Sequence, residues 1–404
     1  MKSQNNKLKR ELGLFSVTVA GVGIILGAGI YALIGLAAGE TGNTIWLSFL
    51  ISAVVAAFTG LSYAELSSIF KDDSGEYDYV REGFGKKLAV FVSILVVLTG
   101  IVSAAVVALG FAGYLSSLIS IKYLYAGIGI IVLMTLLNYI GIKDSNRFNL
   151  IATSIEFLGL LIIIFLGFGN FGKVDLFEMP NGFYGVFKAG ALVFFAYLGF
   201  ETIVKLSDEV KNPQKTIPRA IIWSVIITTI LYILVSIAAV SILPADKIAG
   251  SKSPLADVAA SVFGDPAFII LAVIALFSTA NTILLTLVTT SRMIYGMSEK
   301  KSFPRIFGVI GKKRKTPYIA VFVTGLMALI LTFFEDIGFV ADLTTALMFA
   351  TFALVNLSVI VLRYKIKGGR KFMMPLNIGR FPVLALLGIL SSLGMLVFSL
   401  INLF

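Results

Sequence analysis

The sequence contains no cysteine and no histidine among its 404 residues. Disulfide bonds, thiolate nucleophiles, cysteine or histidine metal sites and histidine proton relays are therefore excluded by count. Charged residues are also scarce, at 14% against about 25% in soluble proteins, while hydrophobic residues make up 58%. This composition excludes a soluble globular protein and a disordered one. We expect no cofactor and no metal, and any proton chemistry must use Glu, Asp, Lys or Tyr.

Long apolar runs dominate the chain and predict membrane-spanning helices. Nine runs of about 18 residues or more carry no charge, and two further runs are each interrupted by one glutamate, Glu156 or Glu201. The runs lack the two-residue alternation of a membrane β-barrel, so we predict an all-α polytopic membrane protein with about 11 spans. Spans one to eleven are expected at 12–39, 41–64, 88–121, 123–142, 148–172, 189–204, 220–245, 266–291, 316–334, 343–362 and 381–404.

Lysine and arginine are concentrated on alternate connections between the predicted spans. Of these 33 residues, 28 lie in the N-terminal tail, 1–11, and in every second connection after it, and five lie on the other side. This asymmetry is the positive-inside pattern of multi-pass proteins. It predicts a cell-membrane protein with a cytoplasmic N-terminus and an extracytoplasmic C-terminus. It also accounts for the net charge of +11 without nucleic acid, and the basic run 312–315 is interpreted as a topology anchor.

Glycine marks the places where predicted helices break, because all ten prolines lie at or beyond span ends. Span one carries five glycines within residues 20–35. This spacing has two interpretations: close helix packing through small residues, or an unwound segment whose free N–H groups bind an anion. Span six is short and contains Gly199 followed by Glu201.

Spans one and six are five spans apart, as are the interrupted helices of transporters built from inverted repeats. Spans 1–5, residues 12–172, would then form one half of the protein. Spans 6–10, residues 186–363, would form the other half, and span eleven, residues 381–404, would lie outside the repeat.

Four ordered blocks resemble the amino acid–polyamine–organocation (APC) permeases. The first is GVGIILGAGIY at 21–31, and the second is YAELSSIF followed by SGEYDYVREGFG between 63 and 85. The third is FFAYLGFE followed by SDEVKNPQKTIPRAI between 194 and 221, and the fourth is SRMIYGMSEKKSFP at 291–304. The resemblance covers nearly the whole chain.

This resemblance implies a five-plus-five inverted repeat with broken helices one and six, alternating access, and an amino acid or polyamine held between spans one, three, six and eight. The substrate carboxylate would meet main-chain N–H groups at the span-one break, and the ammonium group would meet carbonyls freed in span six. Phe195 or Tyr197 would act as a lid. The residues expected to contact the substrate are Ile24, Ile25, Gly27, Ala28, Gly29, Ala104, Phe195, Ala196, Tyr197, Leu198, Gly199 and Thr286.

Two features depart from the family pattern. Many members have twelve spans, whereas eleven are predicted here. Several amino acid members carry a lysine in span five, in a T-x-x-K pattern, where this chain has Thr153 and Glu156 in the sequence TSIE. A glutamate at this place reverses the charge.

The carboxylates inside the apolar runs are candidates for coupling transport to a cation. Burying an ionised carboxylate is expensive unless it is paired, so Glu156, with Thr153 beside it, is predicted to take up and release a proton or another cation. The alternative is a structural carboxylate bonded to a neighbouring helix or paired with Lys205. Glu201 is expected to bind N–H groups freed at the span-six break, and Glu65 is expected to pair with loop charges.

The function predicted from these features is a secondary active transporter for amino acids, with proton-coupled symport favoured. The alternatives are an amino acid or polyamine exchanger and a cationic amino acid carrier, and a channel is less favoured. No enzymatic activity is expected, because no convincing nucleophile and base pair occurs. The sequence predicts no particular oligomeric state.

Overall fold

A computed structural model of the chain describes residues 11–70, 75–141, 145–311, 314–366 and 368–403, with the backbone alone for 145–150. The predicted N-terminal tail, 1–11, lies outside the described residues except for Glu11. Residues 312 and 313 of the predicted topology anchor also lie outside them.

Helices make up almost all of the described chain. Two short antiparallel strands, β1 (Asn377–Ile378) and β2 (Phe381–Pro382), form a hairpin before the last helix. The helices are α1 (Leu14–Leu26), α2 (Gly29–Thr41), α3 (Ile45–Ile69), α4 (Glu76–Phe84), α5 (Lys86–Leu118), α6 (Tyr123–Ile140), α7 (Ser145–Gly167), α8 (Gly182–Val193), α9 (Pro213–Ile242), α10 (Ala245–Ala249), α11 (Pro254–Phe263), α12 (Asp265–Glu299), α13 (Tyr318–Thr332), α14 (Ile337–Lys365) and α15 (Val383–Leu403).

Every predicted span contains a helical segment, and the prediction of an all-α polytopic membrane protein is confirmed. Within the described residues, nine helical segments are long and apolar enough to cross a membrane. Two shorter apolar helices, α1 and α13, occupy predicted spans one and nine. A third, α11, was not predicted as a span. It has only ten residues, too few to cross a bilayer.

Large apolar side chains are exposed on the surface of the helical bundle, including Leu133, Phe165, Ile230 and Leu326. Helices that face lipid tails present such side chains, since the bilayer interior is as apolar as leucine. The helix surfaces therefore agree with a protein embedded in a membrane.

Span one is not a continuous helix. α1 ends at Leu26 and α2 begins at Gly29, so Gly27 and Ala28 interrupt the span near its middle. A Cβ atom added to Gly29 would lie 2.6 Å from the Cα atom of Ala196, which is closer than real Cβ contacts allow. Glycine at position 29 therefore permits close approach to span six.

Span six is also interrupted. After α8 the chain forms two 3₁₀ turns, Phe194–Tyr197 and Phe200–Leu206, with Leu198 and Gly199 between them. Gly199 has a φ of +124°, a conformation that glycine adopts at no steric cost. A Cβ atom there would lie 2.9 Å from the main-chain oxygen of Ile24. The two interruptions consequently lie against each other.

A buried ionic cluster joins span two to span ten. The Glu65 carboxylate of α3 accepts hydrogen bonds from Arg363 of α14, at 2.7 Å from Nε and 2.5 Å from Nη2. The Nε atom of Arg370, in the connection after α14, lies 3.4 Å from the Oε1 atom of Glu65. The Met374 N–H donates to the Oε2 atom of the same carboxylate at 3.0 Å. Arg370 is thus the loop charge that the sequence led us to expect. The closest partner of Glu65, however, is Arg363 in the last turn of α14.

Candidate functional site

A cavity of about 410 Å³ lies where the two interrupted spans meet. This volume is within the usual range of small-molecule sites, about 300–1,000 Å³. Segments from spans one, three, six and eight form its wall. Twelve of the residues singled out from the sequence line it: Ile24, Ile25, Gly27, Ala28, Gly29, Glu156, Phe195, Ala196, Leu198, Gly199, Glu201 and Thr286.

Three residues singled out from the sequence lie outside the cavity wall. Tyr197 is fully buried, and its hydroxyl donates to the main-chain oxygen of Phe49 at 3.0 Å. Ala104 is buried within α5, next to the wall residue Ser103. Thr153 packs on span one, where its Cγ2 atom would lie 2.5 Å from a Cβ atom at Gly23. Of the two aromatic candidates for a lid, only Phe195 faces the cavity.

The main-chain N–H groups at the span-one interruption belong to residues that line the cavity. Gly29 is the first residue of α2, and the first N–H groups of a helix have no partner within it. The Ala28 N–H donates to the hydroxyl of Thr282 in α12, with 3.3 Å between nitrogen and oxygen. A helix N-terminus of this kind favours a carboxylate.

One tyrosine contacts the main chain of both interruptions. The hydroxyl oxygen of Tyr232, in α9, lies 3.0 Å and 3.1 Å from the main-chain oxygens of Ile25 and Leu26. It lies 2.9 Å from the main-chain oxygen of Ala196. Since a hydroxyl has a single proton, it donates to one of these three acceptors at a time.

Local side chains satisfy the main chain at the span-six interruption. Glu201 accepts a hydrogen bond from the Gly199 N–H at 2.8 Å, and Thr202 donates to the Gly199 oxygen at 2.8 Å. The Gly199 oxygen also accepts a hydrogen bond from the Thr202 N–H of the second 3₁₀ turn at 2.9 Å, so both polar groups of Gly199 have partners. The bond from the Gly199 N–H is the contact expected of Glu201.

Glu156 is a buried carboxylate on the cavity wall, with 2% of its surface exposed. The Ser278 hydroxyl of α12 donates to its Oε1 atom at 2.7 Å, and Tyr31 donates to its main-chain oxygen at 2.9 Å. In the part of the chain that the structure describes, no Lys or Arg nitrogen lies within 4.0 Å of this carboxylate. The ion pair with Lys205 that the sequence left open is therefore not formed.

A chain of polar contacts connects Glu156 with the span-one interruption. The Ala28 N–H donates to Thr282, and the Thr282 hydroxyl donates to the main-chain oxygen of Ser278 at 3.0 Å. The Ser278 side chain in turn donates to Glu156. One turn of α12 therefore connects Glu156 with the span-one interruption.

Several polar residues of the wall were not among the predicted site residues. Besides the predicted Thr286, span eight contributes Asn281, Thr282, Thr289 and Thr290 to the cavity wall. Thr286, Thr289 and Thr290 follow Thr282 by four, seven and eight residues, which places the four threonines on one face of a helix. This polar stripe in an apolar span could have indicated the cavity wall from the sequence. Two charged residues also line the cavity, Glu76 at the start of α4 and Lys205 in the second 3₁₀ turn of span six. Glu76 accepts a hydrogen bond from the Tyr63 hydroxyl at 3.0 Å.

Comparison with known proteins gives several matches over most of the chain. The sequence profile described as amino acid permease matches residues 12–403. The branched-chain amino acid permease BcaP of Bacillus subtilis is 31% identical over 386 residues, which are 90% of this chain and 83% of that protein. The methylthioribose transporter of the same organism is 30% identical, with 90% and 83% covered. The cationic amino acid transporter 4, vacuolar, of Arabidopsis thaliana is 29% identical, with 89% and 64% covered.

Proposed function

Because the chain belongs to the amino acid permease family, we propose that it is a secondary active transporter that moves amino acids by alternating access. The observation that carries this proposal is the cavity between two interrupted helices. Such interruptions offer unpaired N–H groups on one side and unpaired carbonyl groups on the other. A zwitterion with one carboxylate and one ammonium group fits this arrangement.

The substrate is oriented by the two interruptions. Its carboxylate lies at Gly27–Gly29, where the N-terminus of α2 begins, and its ammonium group lies at the carbonyl groups around Ala196. Ile24 and Ile25 contact its side chain, and Phe195 covers it. All of these residues line the same cavity, which supports the assignment.

The inverted repeat of 12–172 and 186–363 is part of the same proposal, with 381–404 outside it. Its support is that spans one and six, the first spans of the two halves, are both interrupted and touch each other. The cavity wall also includes Glu76 and Lys205. Both residues belong to the lysine-rich and arginine-rich connections that the sequence predicts on the cytoplasmic side. We therefore assign the open end of the cavity to the cytoplasm.

Glu156 is proposed to couple transport to protons. It is buried, it lines the cavity, and it has no cationic partner among the described residues. In this setting the ionised carboxylate costs free energy, whereas the protonated carboxyl group is neutral and avoids this cost. Proton uptake and substrate occupancy therefore affect each other. The contacts through Ser278 and Thr282 of α12 support this coupling, as does the packing of Thr153 against Gly23 of α1.

The charge of the cavity favours a second candidate function. Among the described residues, Glu76, Glu156 and Glu201 line it together with one lysine, Lys205. An excess of acidic groups attracts cations to a cleft. A carrier or exchanger for cationic amino acids or polyamines is therefore the alternative.

The proposal is tested with the purified protein in liposomes. Isoleucine, arginine, putrescine and methylthioribose are offered as radiolabelled substrates, with and without a pH gradient. We expect saturable uptake of at least one amino acid, which a pH gradient increases and a protonophore abolishes. Uptake of putrescine or arginine alone would favour the second candidate. Absence of saturable uptake, or a single-channel current in a planar bilayer, would overturn the carrier mechanism.

A further inference from the structure

A second cavity lies further along the helices that line the first one. It has a volume of about 310 Å³, and its wall includes Ala32, Gly35 and Leu36 of α2 and Leu109, Gly110 and Gly113 of α5. The cavity between the two interruptions, called here the central cavity, is lined by Gly29 at the start of α2 and by Val96, Thr99, Gly100 and Ser103 of α5. The second cavity is therefore displaced by about one to two turns in the same sense along both helices. We call it the outer cavity.

Close packing of α2, α5 and the chain at Lys252 shapes the wall of the outer cavity. A Cβ atom added to Gly110 of α5 would lie 2.8 Å from the Cβ atom of Ala32 in α2. A Cβ atom at Gly113 would lie 2.4 Å from the main-chain oxygen of Lys252. These glycines allow α2 and the chain at Lys252 to lie directly against α5. The residues of α2 and α5 that lie between the two cavities, 30–31 and 104–108, are fully buried, so packed side chains close the path from one cavity to the other.

Two opposite charges face the outer cavity. Lys252, from the connection between α10 and α11, and Glu335, from the connection between α13 and α14, both line it. The Lys252 ammonium lies 5.5 Å from the ring centre of Tyr123, which also lines the cavity. Among the described residues, the ion pairs found within 4.0 Å do not include one between Lys252 and Glu335. Both charged groups are therefore available to a ligand.

The main chain holds both residues in place. Glu335 has a φ of +55°, which is uncommon for a residue other than glycine and often marks a functional position. The next residue, Asp336, caps α14 by accepting a hydrogen bond from the Phe339 N–H at 3.0 Å. On the other side, Ser251 donates to Asp257 and accepts from the Ser253 N–H at 2.9 Å. These contacts order the turn that carries Lys252.

We propose that the outer cavity is a second amino acid site, in which Lys252 binds the carboxylate and Glu335 binds the ammonium group of the substrate. An amino acid waits there before the path to the central cavity opens. The inference rests on the proposed function, since both sites take the same molecule. Because Lys252 and Glu335 recognise only the zwitterionic part, the outer site accepts amino acids with different side chains.

Uptake into intact cells tests this site, because it presents substrate to the predicted extracytoplasmic face. Radiolabelled isoleucine and arginine are used, with empty-vector cells as background. Lys252→Gln and Glu335→Gln are expected to raise KM by about fivefold or more with kcat little changed, as for a lost binding contact. Lys252→Arg should keep KM near the wild-type value. Lys247→Gln is the matched control, since Lys247 is exposed on α10 and does not line the outer cavity.

An unchanged KM in both glutamine variants, while the wild-type protein transports, would overturn the outer site and leave the proposed function intact. The same KM increase in Lys247→Gln would also overturn it, because general attraction by surface charge would then explain the effect. Lack of amino acid uptake by the wild-type protein would contradict the proposed function itself. If Lys252→Gln does not fold, as judged by its melting temperature, the exposed Glu335 carries the test alone.

Discussion

The hydroxyl oxygen of Tyr232 lies 2.9 Å from the main-chain oxygen of Ala196. The same hydroxyl oxygen lies 3.1 Å from the main-chain oxygen of Leu26, in the other interrupted span. Residues of spans one and six are thereby joined through a single side chain of span seven. If a substrate ammonium group binds the Ala196 oxygen, the Tyr232 proton remains available to span one, so that substrate occupancy and the bond between the spans are connected.

Replacing Tyr232 by phenylalanine tests this connection. The ring should stay packed against Phe49 and Tyr197, whose ring centres lie 5.4 Å and 5.3 Å away. Loss of a buried hydrogen bond costs about 1–3 kcal/mol, so we expect a lower melting temperature and a kcat reduced by about tenfold.

Tyr114→Phe is the control for Tyr232→Phe. The buried Tyr114 also donates to a main-chain oxygen, that of Tyr31 in α2 at 3.1 Å, but this bond does not join span one to span six. It should lose similar stability and keep its kcat. Equal kcat losses in the two variants would show that stability alone explains the effect.

Gly29→Ala is expected to abolish substrate binding. The added methyl group would lie 2.6 Å from the Cα atom of Ala196, so the two interruptions could not keep their contact. Binding is measured as the rise in melting temperature with added isoleucine or arginine, because a ligand of the folded state raises it. Gly129→Ala in α6, where a Cβ atom has no neighbour within 4 Å, should bind normally. A ligand-induced shift retained in Gly29→Ala would contradict the proposed carboxylate site.

Glu156→Gln should separate proton coupling from substrate binding. The amide oxygen can still accept the hydrogen bond from Ser278, while the group can no longer take up a proton. We expect loss of uptake driven by a pH gradient in liposomes, with substrate exchange across the membrane retained. Glu299→Gln, at an exposed position at the end of α12, should behave as the wild-type protein does. Full gradient-driven uptake in Glu156→Gln would eliminate the coupling role.

The ion pair between Arg363 and Glu65 is expected to matter for stability rather than transport chemistry. Their side chains are 2% and 1% exposed, and removing one partner of a buried pair costs about 3–5 kcal/mol. Arg363→Met should therefore lower the melting temperature strongly. Lys188→Gln breaks the ion pair with Glu40, in which both side chains are 32% exposed. This variant should lose about 1 kcal/mol or less of the free energy of unfolding. Similar melting temperatures for the two variants would refute this distinction.

The glycine pattern illustrates how far sequence reasoning reaches. The segment 20–35 allowed helix packing or unwinding, and the break at Gly27 and Ala28 shows unwinding. Gly199 could be located because a short span containing glycine followed by glutamate is unusual. Both positions follow from local chemistry, since glycine weakens a helix wherever it stands.

Tyr232, Ser278 and Thr282 show what such reasoning misses. Tyr232 lies in an apolar run, and Ser278 and Thr282 lie in a polar stretch of span eight, but the sequence neighbours of each do not indicate what it contacts. The hydrogen bond between Ala28 and Thr282 joins residues 254 positions apart. Only the packing of span one against span eight brings them together.

The sequence by itself determined that this chain crosses a membrane as helices, and where two of them are weakest. Hydropathy and glycine content act within a single segment, because each helix must satisfy its own backbone in a bilayer. The tertiary structure alone decided that the two weak points share one cavity with Glu156 and that Tyr232 contacts both. Such contacts depend on how distant helices pack, which no single segment specifies.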